Sequence, residues 1–186
     1  MNGIGTQLIE TKRLILRKVE VKDYESIYKN WTSDKLVARY VSWNVHESLD
    51  VTKQYCEYKA NRYDGHEYCF DWVVELKETN ELIGEIEAIN VSKAARLVEL
   101  GYCFGSKYWN KGYATEALTA FIDYMFNKVD VDKIIACHIS TNPASGRVMQ
   151  KCGMQYDATL KGYFVDKNTN LRADKVCYSI DNKRLI

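Results

Sequence analysis

The stretch Tyr108-Trp109-Asn110-Lys111-Gly112-Tyr113-Ala114-Thr115-Glu116 stands directly before the strongest helix-spaced apolar run in the chain. A glycine-bearing turn that opens a helix exposes backbone N–H groups, and the helix dipole adds about half a positive charge at that end. Such a site binds phosphate or pyrophosphate. Gly112 would let the main chain approach the phosphate oxygens, and Ala114 keeps the turn clear of a larger side chain. Taken alone, the string reads first as an ordinary strand-to-helix loop. Neither G-x-x-x-x-G-K-[ST] nor G-x-G-x-x-G occurs, so the P-loop and the dinucleotide fingerprint are excluded.

Proton chemistry has one leading candidate. Glu99 is a carboxylate inside an apolar, strand-like run, where partial burial would raise its pKa toward the range of a general base. The competing reading is a surface glutamate paired with Arg96 or Arg172. Glu85 and Glu87 are weaker alternatives for the same task. The six cysteines are scattered without a CxxC pair, and His46, His66 and His138 form no cluster, so metal binding is not expected. Cys103 has no paired histidine to make it a nucleophile and reads as core filling, as does Cys137.

These residues need elements to position them. A strand is expected over Arg13–Val19, then a helix from Asp23 to Trp31 with Asp23 as its cap, and a second helix over Ser48–Arg62. Phe70, Trp72, Val74 and Leu76 alternate with Asp71 and Glu75. After the turn Glu78-Thr79-Asn80 the run Leu82–Ile89 resumes, which is the pattern of an antiparallel hairpin. A further strand covers Leu97–Phe104. Ala114, Ala117, Leu118, Phe121, Ile122, Met125 and Val129 line one helical face.

Next come a strand at Lys133–Ile139 and a helix opened by Asn142-Pro143 and closed by Gly153, then strands at Met154–Leu160 and Lys175–Ile180. Two late crossovers imply parallel neighbours beside the antiparallel hairpin, so the class is a mixed α/β (α+β) sheet packed by helices and not a doubly wound one.

The 186 residues suit a single domain spanning 1–186, and no repeat or linker divides them. The chain is 46% hydrophobic and 27% charged, as in ordinary globular proteins. With 26 basic and 25 acidic side chains there is no excess charge to hold a polyanion, so nucleic acid is not an expected partner. No run of about 18 apolar residues appears, which gives the expectation of a cytoplasmic protein without a membrane partner.

Read together, GYCFGSKYWNKGYATEAL and NPASGRVMQKCGM, with the opening RLILRKVEVKDYESIYKNW and the segment LIGEIEAI, resemble the GNAT acetyltransferases, in particular their RimJ/RimL-like branch. The resemblance runs from about Leu14 to Ile180. It implies the acyl-CoA N-acyltransferase fold, a mixed, mostly antiparallel sheet with helices on both faces, and acetyl coenzyme A as co-substrate.

By the same resemblance, Asn110, Lys111, Gly112, Tyr113, Ala114 and Thr115 wrap the coenzyme pyrophosphate, and the main chain of Tyr102, Cys103 and Phe104 pairs with the pantetheine arm. Asn142 matches an asparagine that touches the pantetheine or the thiol end, and Ser145 a small polar residue of the same helix, although both are also good residues for the start of a helix. Several family members hold a carboxylate near the acceptor amine where Glu99 lies. Two positions depart from the wider pattern: Trp109 replaces a common Gln or Arg, and Met149 stands where some members carry a proton-donating tyrosine.

The reaction implied is direct attack of a neutral amine on the thioester. An α-amine, with a reference pKa of about 7.7–8.0 against about 10.4 for lysine, asks less of a base, which favours a peptide N-terminus as acceptor. A polyamine, amino acid or antibiotic acceptor remains open, as does a coenzyme A-binding regulator without turnover, and so does the choice between monomer and homodimer. Trp31, Tyr40, Trp43, Tyr55 and Tyr58 lie where an acceptor pocket would be built, or serve as core.

Overall fold

The computed structural model describes residues 1–167 and 169–185. In chain order its elements are β1 (Ile9–Glu10), β2 (Leu14–Arg17), α1 (Tyr24–Ile27), α2 (Lys35–Ala38), α3 (Leu49–Asn61), β3 (Asp71–Leu76), β4 (Leu82–Ser92) and β5 (Leu97–Phe104). Then follow α4 (Tyr113–Tyr124), β6 (Lys133–Ile139), α5 (Pro143–Lys151), β7 (Gln155–Val165) and β8 (Arg172–Asp181). The strand order is β1-β2-β3-β4-β5-β6-β8-β7. β5 and β6 pair in parallel, whereas β1–β2, β2–β3, β3–β4, β6–β8 and β7–β8 are antiparallel.

The mixed, mostly antiparallel sheet is the one expected, with one correction to its wiring. The crossover through α4 does give parallel neighbours. The crossover through α5 does not, because β8 lies between β6 and β7. The long β7–β8 hairpin brings β8 back onto the edge of β6 and leaves β7 outermost.

Several local signals act as expected. Ser48 caps α3, its hydroxyl accepting from the Val51 N–H, and Asn142 caps α5 with Pro143 at the first helical position. The first helix is different. It is a 3-10 turn over Val21–Asp23, then α1, then a π-helical turn over Tyr28–Thr32. Asp23 gives no side-chain cap to α1. Its carboxylate accepts from the Glu20 N–H and from the Arg17 guanidinium, a charged donor that outcompetes a neutral amide.

The chain divides into two compact units. One comprises Gly3–Glu87 and Tyr102–Ala120, the other Met1–Asn2, Ala88–Gly101 and Phe121–Ile186. In the former, Ile27, Trp31, Val37, Cys56, Val73, Leu82 and Cys103 form a buried cluster, so α1 and α3 close over one face of β3, β4 and the end of β5. In the latter, Val98, Leu100, Met125, Val129, Val131, Ile134 and Ala136 are buried. Of the positions that repeat at helical spacing in α4 and its π-helical extension, Ala117, Leu118, Phe121, Ile122, Met125 and Val129 are buried, while Ala114, in the first turn, is only partly so.

One glycine controls how closely strands approach. A Cβ on Gly84 would overlap the Cys103 carbonyl oxygen and lie 2.7 Å from Phe104 Cδ1. Gly84→Ala is therefore expected to destabilise the fold by about 1–3 kcal/mol, the cost of overpacking. An unchanged urea midpoint would show that β5 yields without cost.

Candidate active site

β5 ends at Phe104, and a 3-10 turn over Ser106–Tyr108 leads to an exposed loop. Trp109 donates its indole N–H to the Phe104 carbonyl at 2.7 Å, which ties the loop back to the strand end. Asn110 (φ 61°) and Gly112 (φ 79°) both adopt the left-handed conformation. At Gly112 a Cβ would meet only an Arg13 nitrogen, 3.4 Å away, so glycine is required there by backbone angle and not by crowding. α4 begins at Tyr113, and the Glu116 N–H bonds the Gly112 carbonyl. The N–H groups of Tyr113 and Ala114 precede that first helical bond and lie at the positive end of the dipole.

Glu116 sits in that first turn, and an unrestrained carboxylate there would compete with any anionic ligand. Three donors hold it aside. Arg13 Nε lies 2.6 Å from Oε2, while the Arg13 backbone N–H and the Thr11 hydroxyl reach Oε1 at 2.8 and 2.6 Å. Burial acts to raise the Glu116 pKa, but these hydrogen bonds outweigh it and the net shift is downward. The Arg13 guanidinium also donates to the Lys111 carbonyl and lies 4.5 Å from the centre of the Tyr113 ring. Nothing in the spacing of Arg13 and Thr11 points to Glu116, which lies 103 and 105 residues away.

In the other unit, Glu99 is about four-fifths buried and accepts from Lys175 Nζ at 3.2 Å and Asn90 Nδ2 at 2.9 Å. The partners considered from sequence are engaged elsewhere: Arg96 pairs with Asp130 and Asp132, and Arg172 donates to the Gly162 carbonyl. Asn142 accepts from the Ser145 N–H, the capping role. Met149 is buried. The parallel register between β5 and β6 runs from Leu97↔Lys133 to Leu100↔Ala136, and β5 continues through Tyr102, Cys103 and Phe104.

The largest surprise is a buried charge cluster beside Cys103. Lys59 on α3 lies 3.0 Å from Asp71, 3.2 Å from Glu85 and 3.4 Å from Glu87, and the Tyr55 hydroxyl donates to Glu85 at 2.5 Å. Burial opposes the Lys59 charge, but Glu85 and Asp71 more than restore it, so its pKa stands well above the ordinary lysine range. The two acids then diverge. Burial would raise both, yet the Lys59 charge, with hydrogen bonds from Tyr55, Lys59 and Cys103, brings Glu85 below the ordinary value. Asp71 Oδ2 is buried with no hydrogen-bond donor, Arg62 being 3.6 Å away, and burial pushes Asp71 up to about 6.

Glu85 is thus committed to holding Lys59, which weakens it as a mobile base. Burial, followed by the charge of Glu85, raises the Cys103 pKa well above the ordinary thiol value and keeps it protonated at neutral pH. Trp43 and Tyr55 pack, half-buried, against the core cluster, with His46 between their rings.

Among the described residues no group of three or more His, Cys, Asp or Glu side chains could hold a metal ion, and no helix is long and apolar enough to cross a membrane. Residues 13–155 match the family model described as an acetyltransferase (GNAT) domain. The chain is 30% identical over 177 residues to the uncharacterized N-acetyltransferase YoaA of Bacillus subtilis, covering 95% of this chain and 98% of that one. The crystal structure of a GNAT-family acetyltransferase from Bacillus anthracis superposes with a TM-score of 0.83 at 30% identity, over 95% and 99% of the two chains. A more distant relative is the ribosomal protein uS5-alanine N-acetyltransferase of Escherichia coli, 26% identical over 159 residues and covering 72% of this chain and 82% of that one.

The charge cluster has a pH signature. A carboxyl raised on folding, from 3.8 to about 6 for Asp71, binds its proton more tightly in the folded chain. Its stabilising contribution is therefore present at low pH and lost as pH rises through about 6. Asp71→Asn removes that slope. The unfolding free energy of wild type minus that of Asp71→Asn, from urea melts, should fall as pH rises from 3.8 to about 6; a constant or rising difference would mean that folding does not raise the Asp71 pKa.

Proposed function

The chain belongs to the GNAT acetyltransferase family, and from that membership we propose that it acetylates a primary amine, with a protein N-terminus as the acceptor. The observation that carries the coenzyme half of this reading is the loop before α4. Two left-handed residues, Asn110 and Gly112, turn the chain into the helix, and the one carboxylate of the first turn is held by Arg13. An anion can then meet the N–H groups of that turn without a competing charge.

In this reading Asn110, Lys111, Gly112, Tyr113, Ala114 and Thr115 hold the pyrophosphate, and the main chain of Tyr102, Cys103 and Phe104 aligns the pantetheine arm. Asn142, beyond its part in the helix cap, touches the pantetheine or the thiol end, and Ser145 in the same helix also contacts the coenzyme. Acetyl transfer then needs the amine neutral and close to the thioester carbon. The nitrogen lone pair forms the new C–N bond, backbone N–H groups stabilise the oxyanion, and the C–S bond breaks to release coenzyme A. Glu99 accepts the ammonium proton, directly or through water. Cys103, protonated and bound to Glu85, is a wall of the site and not a nucleophile.

An N-terminal acceptor is favoured by acidity. An α-ammonium with a pKa of about 7.7–8.0 is already partly neutral at physiological pH, so one largely buried carboxylate suffices where a lysine would demand more. The Escherichia coli relative named for the uS5 alanine acts on such an amine.

Release of free thiol from acetyl coenzyme A, with N-terminal peptides compared against spermidine and free amino acids, tests the reading. Turnover should be highest with a peptide, and Glu99→Gln should lower kcat by about 10²–10⁴, the usual worth of a general base, with the loss shrinking at high pH. Normal turnover of Glu99→Gln at every pH would remove Glu99 from the mechanism. Absence of thiol release with any amine would leave a coenzyme A-binding protein without turnover.

A further inference from the structure

Two cysteines far apart in sequence meet across the sheet. Cys137 on β6 is directly opposite Cys177 on β8, and their sulfurs lie 2.7 Å apart as free thiols. A covalent S–S bond is about 2.03–2.05 Å long, so little movement separates the pair from a bond.

The ladder fixes the type of pair. The Asn182 N–H bonds the Asp132 carbonyl, and the Ser140 N–H bonds the Asp174 carbonyl. Both contacts belong to the same β6–β8 register as Cys137↔Cys177. Hydrogen-bonded and non-hydrogen-bonded pairs alternate along an antiparallel ladder. Counting inward from either end makes Cys137↔Cys177 a non-hydrogen-bonded pair. Such pairs hold their Cα atoms about 4.5 Å apart with side chains converging. That spacing lies inside the range of about 4.4–6.8 Å that disulfides span, so a bond can close without breaking ladder hydrogen bonds.

Access and surroundings agree. Both cysteines are half-buried, within reach of a small reagent, whereas Cys56, Cys69 and Cys103 are buried. Burial, followed by the hydrogen bond with the Cys177 thiol, raises the Cys137 pKa, which makes Cys137 the slower of the two to attack an external disulfide. Lys175, two residues along β8 from Cys177, carries the ammonium that holds Glu99. A bond here would form beside that ion pair.

We propose that Cys137 and Cys177 are a reversible dithiol–disulfide site whose reagent is a low-molecular-weight disulfide. The thiolate of one cysteine attacks a sulfur of the external disulfide, forming a mixed disulfide and releasing one small thiol. The second cysteine then attacks the protein sulfur of that mixed disulfide and releases the other small thiol. Two protein thiols and one external disulfide become one protein disulfide and two small thiols. The protein is oxidised by two electrons and the reagent reduced by two.

The test uses the reduced, folded full-length chain and oxidised glutathione. After acid quenching, thiol titration in denaturant and intact mass should show the loss of two of the six thiols with no glutathione retained. Digestion should give one cross-linked peptide pair containing Cys137 and Cys177, and dithiothreitol should restore all six thiols. The near-isosteric Cys137→Ser and Cys177→Ser variants, shown folded by circular dichroism, should each abolish the internal cross-link, while Cys152→Ser should leave it intact. Retention of all six thiols, a stable mixed disulfide in place of the internal bond, or a cross-link between other cysteines would overturn the proposal. The wild-type peptide map decides the matter even if a variant fails to fold, and none of these readouts depends on acetyl transfer.

Discussion

The fork in which Arg13 and Thr11 hold Glu116 is the constraint on which the loop before α4 depends. A glutamate in the first turn of a helix is favourable in itself, since it meets the positive end of the dipole. At a site meant for phosphate the same charge would be a competitor. By taking both carboxylate oxygens, Arg13 and Thr11 fix Glu116 against the start of β2, and the same guanidinium then bonds the Lys111 carbonyl and covers Tyr113. The loop is thus shaped from two sides, by Arg13 at one end and by the Trp109–Phe104 hydrogen bond at the other.

The buried cluster around Lys59 answers a different need. Taking a lysine and three carboxylates out of water costs more than a comparable apolar packing would, so such a cluster is poor as a source of stability. Its value lies in registration. Lys59 fits only where Asp71, Glu85 and Glu87 converge, which fixes α3 against β3 and β4, and the Tyr55 and Cys103 hydrogen bonds extend the fixed geometry to β5. Breaking one partner would leave an uncompensated buried charge.

Sequence made much of this legible, and its failures have physical causes. β5 and β6 follow their expected bounds because each is an apolar run ended by polar or glycine residues, and α3 follows Ser48 because that cap is local. Local signals cannot show what covers the other face of a strand. Asp71 alternates with Phe70 and Trp72 as a solvent-facing residue would, yet it is buried because α3 lies over it. One clue was present: Lys59 falls three residues after Cys56, on the apolar side of its helix. The Arg13–Glu116, Lys175–Glu99 and Cys137–Cys177 pairs span separations of 103, 76 and 40 residues, and no spacing rule reaches so far. The family motifs succeeded where periodicity could not, because they join segments that only the fold brings into order.

Amide hydrogen exchange of the full chain, with and without saturating acetyl coenzyme A, tests the central claim most directly. If the turn before α4 holds the pyrophosphate, exchange should slow at the amides of Lys111, Gly112, Tyr113 and Ala114, with further protection in the Tyr102–Phe104 segment. Saturated binding that leaves those amides unchanged, with protection confined to other segments, would contradict the account.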